Sequence, residues 1–163
     1  MLRVSKFKII TFDKKSYKCC IGKLGLTKKK EEGDLKTPIG KYNILKCYFR
    51  PDRIKKINTK IKCEKIRRNS AWCDDVRSKY YNKPIKLPSK FRYEKLYRKD
   101  NCYDLIVVLN YNMNPIIKGN GSAIFLHIAK KNYKPTEGCI AVKKEDLLEI
   151  LRKIKRKTTI LIK

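Results

Sequence analysis

Ile124-Phe125-Leu126-His127-Ile128, followed after a loop by Thr136-Glu137-Gly138-Cys139-Ile140-Ala141-Val142, is the stretch on which the reading of this chain turns. Each half is an apolar run rich in β-branched residues, which predicts two buried strands joined by Ala129 to Gly138. His127 is the only histidine of the chain, and Cys139 follows it by twelve positions. A thiol needs a base to become a strong nucleophile at neutral pH, and imidazole is the side chain best tuned for that work. Neighbouring strands would bring the two side by side. Gly138 leaves room for a substrate carbonyl, and the amides around Gly138 and Cys139 would face the oxyanion of a tetrahedral intermediate. The competing reading is a core histidine and an inert cysteine.

Working outward, the chain reads as mainly β. Phe7 to Phe12 and Tyr17 to Gly22 form a hairpin across Asp13-Lys14-Lys15-Ser16, and a third strand covers about Lys41 to Phe49. Tyr103 to Leu109 is a strand buried on both faces, and Ile116-Ile117 pairs back after the turn at Tyr111 to Pro115. Gly119-Asn120-Gly121-Ser122 is read as a flexible link. Leu147, Leu148, Leu151 and Ile154 fall at helical spacing, with Glu145 and Asp146 in the first turn and Arg152, Lys153 and Lys155 near the end. This is the one convincing helix, and Thr158 to Ile162 closes the chain as a strand. Residues 1-163 make a single domain, long enough to close a core without staples.

Pro51 to Leu87 shows poor periodicity and reads as a long irregular insertion, a feature that is uncommon unless functional. Trp72-Cys73-Asp74-Asp75 within it places the only Trp beside two acids. Trp72 either lines a pocket that holds a cationic group or packs the insertion onto the core.

Forty-three Lys and Arg against fifteen Asp and Glu give a net charge of +28. The basic residues are spread along the chain, so the charge reads either as compositional drift with abundant Lys, Ile, Asn and Tyr, or as attraction to an anionic polymer. No basic stripe with interleaved aromatics marks a nucleic-acid site, and that partner is not expected. The seven cysteines are odd in number, contain no C-x-x-C pair and sit with one histidine. Neither a zinc site nor a disulfide framework is expected, and most read as reduced, buried thiols. No apolar run is long enough to span a membrane.

Two motifs together resemble the YkuD family of L,D-transpeptidases. His127…Thr136-Glu137-Gly138-Cys139 is similar to that family's histidine followed by Ser/Thr-His-Gly-Cys, and Asp34-x-x-Thr37-Pro38-x-Gly40-x-Tyr42 is similar to its upstream segment. Trp72 to Asp75, Tyr81-Asn82 and Gly121 to His127 resemble a compact bacterial branch without accessory domains. The resemblance implies a sandwich-like β catalytic domain acting on peptidoglycan stem peptides. Cys139 would be the nucleophile and His127 the base, oriented by the backbone carbonyl of Ile128, with Gly138 in the oxyanion site. Thr136, Glu137, Trp72, Asp74 and Tyr81 are the candidate substrate contacts. No metal or cofactor is implied, a monomer is expected, and carbapenems would acylate the same thiol. Two positions depart from the family: Glu137 stands where a histidine is usual, and Ala141 where an arginine or asparagine is frequent.

Two rivals remain. Papain-like and NlpC/P60-type peptidases place the cysteine before the histidine, the reverse of the order here. A non-enzymatic basic protein coating wall polymer or nucleic acid would bind in a salt-dependent way without thiol acylation. Location is open: the resemblance implies the periplasm or cell wall, whereas an N-terminus without an apolar signal core and many unpaired cysteines suit the cytoplasm.

Overall fold

The computed structural model describes all 163 residues. In chain order the strands are β1 (Leu2–Val4), β2 (Ile9–Phe12), β3 (Lys15–Cys20), β4 (Leu26–Thr27), β5 (Thr37–Pro38), β6 (Gly40–Phe49) and β7 (Cys63–Lys65). There follow β8 (Ser70–Cys73), β9 (Pro84–Lys86), β10 (Tyr93–Lys95), β11 (Leu105–Leu109), β12 (Phe125–Ile128) and β13 (Ile140–Val142), then the helix α1 (Lys144–Lys153) and β14 (Thr159–Ile162).

The main sheet runs β11-β12-β13-β3-β2-β1-β14-β6-β7, and β6 also pairs with β11. That extra pairing closes the sheet on itself. The architecture is a barrel with β7 appended to β6, and the expected sandwich is corrected. The ten-residue β6 makes closure possible. Its first half pairs with β14, Gly40 to Asn43 opposite Ile162 to Thr159, and its second half with β11, Ile44 to Phe49 opposite Leu109 to Leu105. A barrel leaves few open edges to template aggregation.

Alternation along three strands sorts the core into two layers. Leu105, Val107 and Leu109 of β11, Leu126 and Ile128 of β12, and Ile140 and Val142 of β13 join one cluster with Leu147, Ile150, Leu151 and Ile154 from the helix segment. The alternate residues Ile106, Val108, Phe125 and Cys139 join a second cluster with Ile66, Trp72, Leu96 and Tyr103. A period of two sends successive side chains to opposite faces, so strands covered on both faces read as unbroken apolar runs. The second face is the one that carries the site.

What covers it is the segment expected to be irregular, Pro51 to Leu87, together with the residues that follow it. Residues 51–104 contain β7 and a three-stranded sheet in the order β10-β8-β9. Trp72 of β8 packs edge-on against Phe125 of β12, with ring centroids 5.1 Å apart. Other differences are local. The strand expected from Phe7 is β2 and begins at Ile9, and Phe7 is exposed. Ile116 and Ile117 lie in a loop and do not pair back. Leu2–Val4, unassigned in the sequence reading, pairs in parallel with β14. Cys47 and Cys63, directly opposite in the β6–β7 pair, form a disulfide, so two of the seven cysteines leave the expected reduced set. The other five are free and buried. No helix is long and apolar enough to cross a membrane.

Candidate active site

β12 and β13 are parallel neighbours, with Leu126 opposite Ile140 and His127 opposite Ala141. Parallel neighbours need a return crossover of about a dozen residues. Residues 129–139 supply it, and this is why the histidine and the cysteine stand so far apart in sequence. Within each strand Phe125 and His127 share one face, as do Cys139 and Ala141. His127 and Cys139 therefore sit diagonally on the same face, at the floor of a cleft of ≈ 450 Å³ that both residues line. They are 6 % and 8 % exposed.

The turn that delivers Cys139 is held from two sides. The Thr136 hydroxyl donates to the Cys139 carbonyl (2.6 Å) and accepts from the Gly138 N–H (3.2 Å). On the other side, Thr37 of β5 donates to the Gly138 carbonyl (2.8 Å) and accepts from the Gly22 N–H (2.8 Å). Thr37 thus clamps the end of β3 to the residue before the thiol, which gives the Thr-Pro segment a physical role. In a trans peptide the Cys139 N–H points opposite to the Gly138 carbonyl, so Thr37 also aims that amide. The Gly138 amide is spent inside the turn, which corrects its expected part in an oxyanion site. Gly138 has φ +146°, and a Cβ there would lie 2.9 Å from the Lys36 carbonyl. Only glycine fits.

His127 Nδ1 lies 2.9 Å from the Ile128 carbonyl. A carbonyl only accepts, so Nδ1 carries the proton and Nε2 keeps its lone pair. That is the tautomer a general base requires. Tyr103 packs edge-on against the imidazole, centroids 5.1 Å apart, and its hydroxyl donates to Glu94. The thiol of Cys139 donates to the Ala123 carbonyl (3.0 Å) and accepts from the Phe125 N–H (3.3 Å), so it rests docked on β12 rather than on His127.

Burial drives the charges here. It pushes the Cys139 thiol well above its usual range, with Glu94 adding to the rise, and draws His127 down to about 4. Both are therefore neutral at pH 7, and the proton must move as the substrate reacts. Burial also raises Glu94 from 4.5 to about 7, against the opposing Tyr103 hydrogen bond.

The two shifted acids act on stability with opposite signs. Glu94 holds its proton longer when folded, so its contribution is full below about 4.5 and lost as pH rises to about 7. His127 is harder to protonate when folded, so its contribution is present above 6.5 and lost as pH falls through about 4. Glu94→Gln should remove the first trend alone. Between pH 4.5 and 8 the stability of the variant should gain on wild type by on the order of 3 kcal/mol. Parallel pH profiles from chemical denaturation would contradict the assignment.

Thr136, Glu137, Gly138 and Asp74 line the same cleft as His127 and Cys139. Trp72 does not: it is 2 % exposed in the core, and its indole N–H donates to Asn82 Oδ1 (3.0 Å). Its packing role holds and its pocket role falls. Tyr81 is also buried, its hydroxyl donating to the cleft residue Glu32 (2.5 Å), so it supports the wall without lining it. Asp74 pairs with Arg92 (3.1 Å), whereas Asp75 closes a turn by accepting from the Arg77 N–H (3.0 Å). Glu94, Tyr103, Thr37, Asn82 and Ala123 were not among the expected site residues. Thr37 had a signal in the Thr-Pro motif; Glu94, in a charged stretch, had none.

The model of the YkuD family, described as the L,D-transpeptidase catalytic domain, matches residues 8–162. Among solved structures, "Structure of Bdellovibrio bacteriovorus Bd1075" aligns at 16% identity with a TM-score of 0.50, covering 100% of this chain and 47% of that one. The likeness is one of fold, and the chain spans about half the length of that protein. The comparison with curated proteins finds no match. With nearly its whole length matched, and with its one histidine and a glycine-preceded cysteine on one face of adjacent strands, the chain belongs to the YkuD family of L,D-transpeptidase-type acyltransferase domains.

Proposed function

We propose that the protein transfers acyl groups of peptidoglycan stem peptides through a thioester on Cys139. The observation that carries this reading is the placement of His127 and Cys139 on one face of β12 and β13 at the floor of the cleft, with the imidazole in the base tautomer.

In the proposed cycle, Sγ of Cys139 attacks the carbonyl that links the diamino acid to the terminal D-Ala. The thiol proton passes to His127 Nε2, and the oxyanion is met by the Cys139 amide that Thr37 aims. The C–N bond breaks as His127 returns the proton to the leaving amine. An amine of a second stem then attacks the thioester, giving up its proton to His127 and forming a 3→3 cross-link. Water in the same place trims the stem instead. The Ile128 carbonyl steadies the imidazolium that forms between the steps. Glu137, exposed at the cleft mouth beside the nucleophile, offers a carboxylate to a substrate ammonium. The periplasm or cell wall is where such a substrate is met.

The test is mass spectrometry of disaccharide-tetrapeptide muropeptides incubated with the pure protein. Cross-linked dimers or tripeptide products support the reading and tell its two outcomes apart. Unchanged muropeptides together with salt-dependent binding to a polyanion would favour the binding-protein reading instead.

A further inference from the structure

Ala123 is a buried non-glycine residue with φ +53°, in the left-handed region that costs an L-residue on the order of 1 kcal/mol. It lies at the end of the segment read from sequence as a flexible link. The segment is instead pinned: the Tyr111 hydroxyl donates to the Asn120 carbonyl (2.5 Å), and Asn112 Nδ2 donates to the Gly121 carbonyl (2.8 Å). Ala123 itself is pinned by Asn82, 41 residues away, whose Oδ1 accepts the Ala123 N–H (3.0 Å).

Asn82 is 2 % exposed and fully used. Its Oδ1 also accepts from the Trp72 indole (3.0 Å), and its Nδ2 donates to the carbonyls of Tyr111 (3.1 Å) and Asn112 (2.8 Å). Such a satisfied buried network is rigid, because losing any partner strands a polar group in the core. Its output is one carbonyl. In the left-handed turn, Ala123 directs its C=O at Cys139 Sγ (3.0 Å), while Phe125, two residues on, presents its N–H to the same sulfur (3.3 Å). Strain held by an over-determined network beside a nucleophile points to function.

We propose that Asn82 is a positioning residue for the nucleophile, holding Ala123 in its left-handed turn so that the Ala123 carbonyl docks the Cys139 thiol in register for attack. Trp72 is the brace of that device, which accounts for a buried Trp and Asn that do not line the cleft. The inference deepens the acyl-transfer reading and rests on it for the word attack. The docking itself can be measured without turnover. A carbonyl oxygen against sulfur favours the protonated thiol, so loosening Ala123 should ease thiolate formation while spoiling aim. The titratable groups facing the thiol are His127 from β12, Glu94 from β10, Tyr103 before β11, Glu137 before β13 and Lys30 before β5. The substitutions below leave them all in place.

The experiment compares wild type, Asn82→Ala and Trp72→Phe in two assays: muropeptide turnover, and site-resolved iodoacetamide alkylation of Cys139 against pH. Asn82→Ala should lower kcat about tenfold or more with KM changed less than threefold, and should shift the Cys139 alkylation midpoint to lower pH. Trp72→Phe, which deletes one bond to Oδ1 and keeps an aromatic ring, should move both in the same directions by less. It decides the matter if Asn82→Ala does not fold. Unchanged kcat, or an alkylation midpoint that stays at the wild-type pH while activity falls, would overturn the proposal. Wild-type protein inert on muropeptides sinks the acyl-transfer reading, and the alkylation shift still reports on the docking.

Discussion

Cys139→Ala is expected to reduce muropeptide turnover by at least about 10³-fold while the fold survives. The activity loss follows from removing the only protein atom in the proposed cycle that forms a covalent bond to the acyl group. The stability loss should be small. Ala fills most of the volume of Cys, and the side chain lies at the edge of the second core cluster, lining the cleft. The main cost is the Ala123 carbonyl and the Phe125 N–H, which lose their sulfur partner and are left with about 1 kcal/mol each unrepaid unless cleft water reaches them. Circular dichroism and a melt within a few degrees of wild type, together with no turnover, are the expected pair. Turnover at wild-type rate would end the thioester account. Cys139→Ser keeps a donor for the Ala123 carbonyl and an acceptor for Phe125, so it should match wild type in stability. An alkoxide is harder to form than a thiolate at neutral pH, so its activity should fall nearly as far.

Gly138→Ala should be the most damaging change that touches no reactive atom. The backbone there has φ +146°, where an L side chain is strained, and its Cβ would press the Lys36 carbonyl at 2.9 Å. That carbonyl does not yield easily. The Lys36 carbonyl belongs to the backbone just before Thr37, and Thr37 is tied to both Gly22 and Gly138. A destabilisation of about 1–3 kcal/mol is expected from strain of this kind. Activity should fall further than stability explains, because tilting the Gly138–Cys139 peptide misaims both the thiol and the Cys139 amide. Gly119→Ala is the control. Its φ is +88° but its Cβ would meet nothing within 4 Å, so it should show conformational strain with wild-type activity. Equal activity losses in the two variants would contradict the geometric argument.

How far the sequence carried this picture depends on the range of the interaction. The hairpin of β2 and β3, the strands β6, β11, β12 and β14, and the helix α1 were legible because each states its burial in its own alternation, unbroken apolar run or helical stripe. The placement of His127 and Cys139 on neighbouring strands was legible for the same reason, since one lies on an apolar strand and the other leads into one. Barrel closure was not, because β6 meets β14 and β11 through contacts about 60 to 120 residues apart that no local pattern encodes. The covering sheet was hidden by chemistry. Pro84-Ile85-Lys86 and Tyr93-Glu94-Lys95 are three-residue strands that each carry charge, too short to show an apolar alternation. Trp72 pointed correctly to the neighbourhood of the site and wrongly to its surface. An indole beside two acids looks like a pocket wall until Asn82 is seen to take its N–H. The flexible reading of the Gly119 to Ser122 stretch failed similarly, since its glycines supply positive φ to a turn that Asn82, Asn112 and Tyr111 then lock.

The central claim is that Cys139 carries the acyl group, and intact-mass spectrometry of the protein quenched during turnover, followed by peptide mapping, tests it most directly. With a tetrapeptide donor or a carbapenem, the account requires a single adduct on the peptide containing Cys139, absent from Cys139→Ala. A stable acyl adduct on Cys102, the other thiol lining the cleft, or turnover with no protein adduct in any variant, would contradict it.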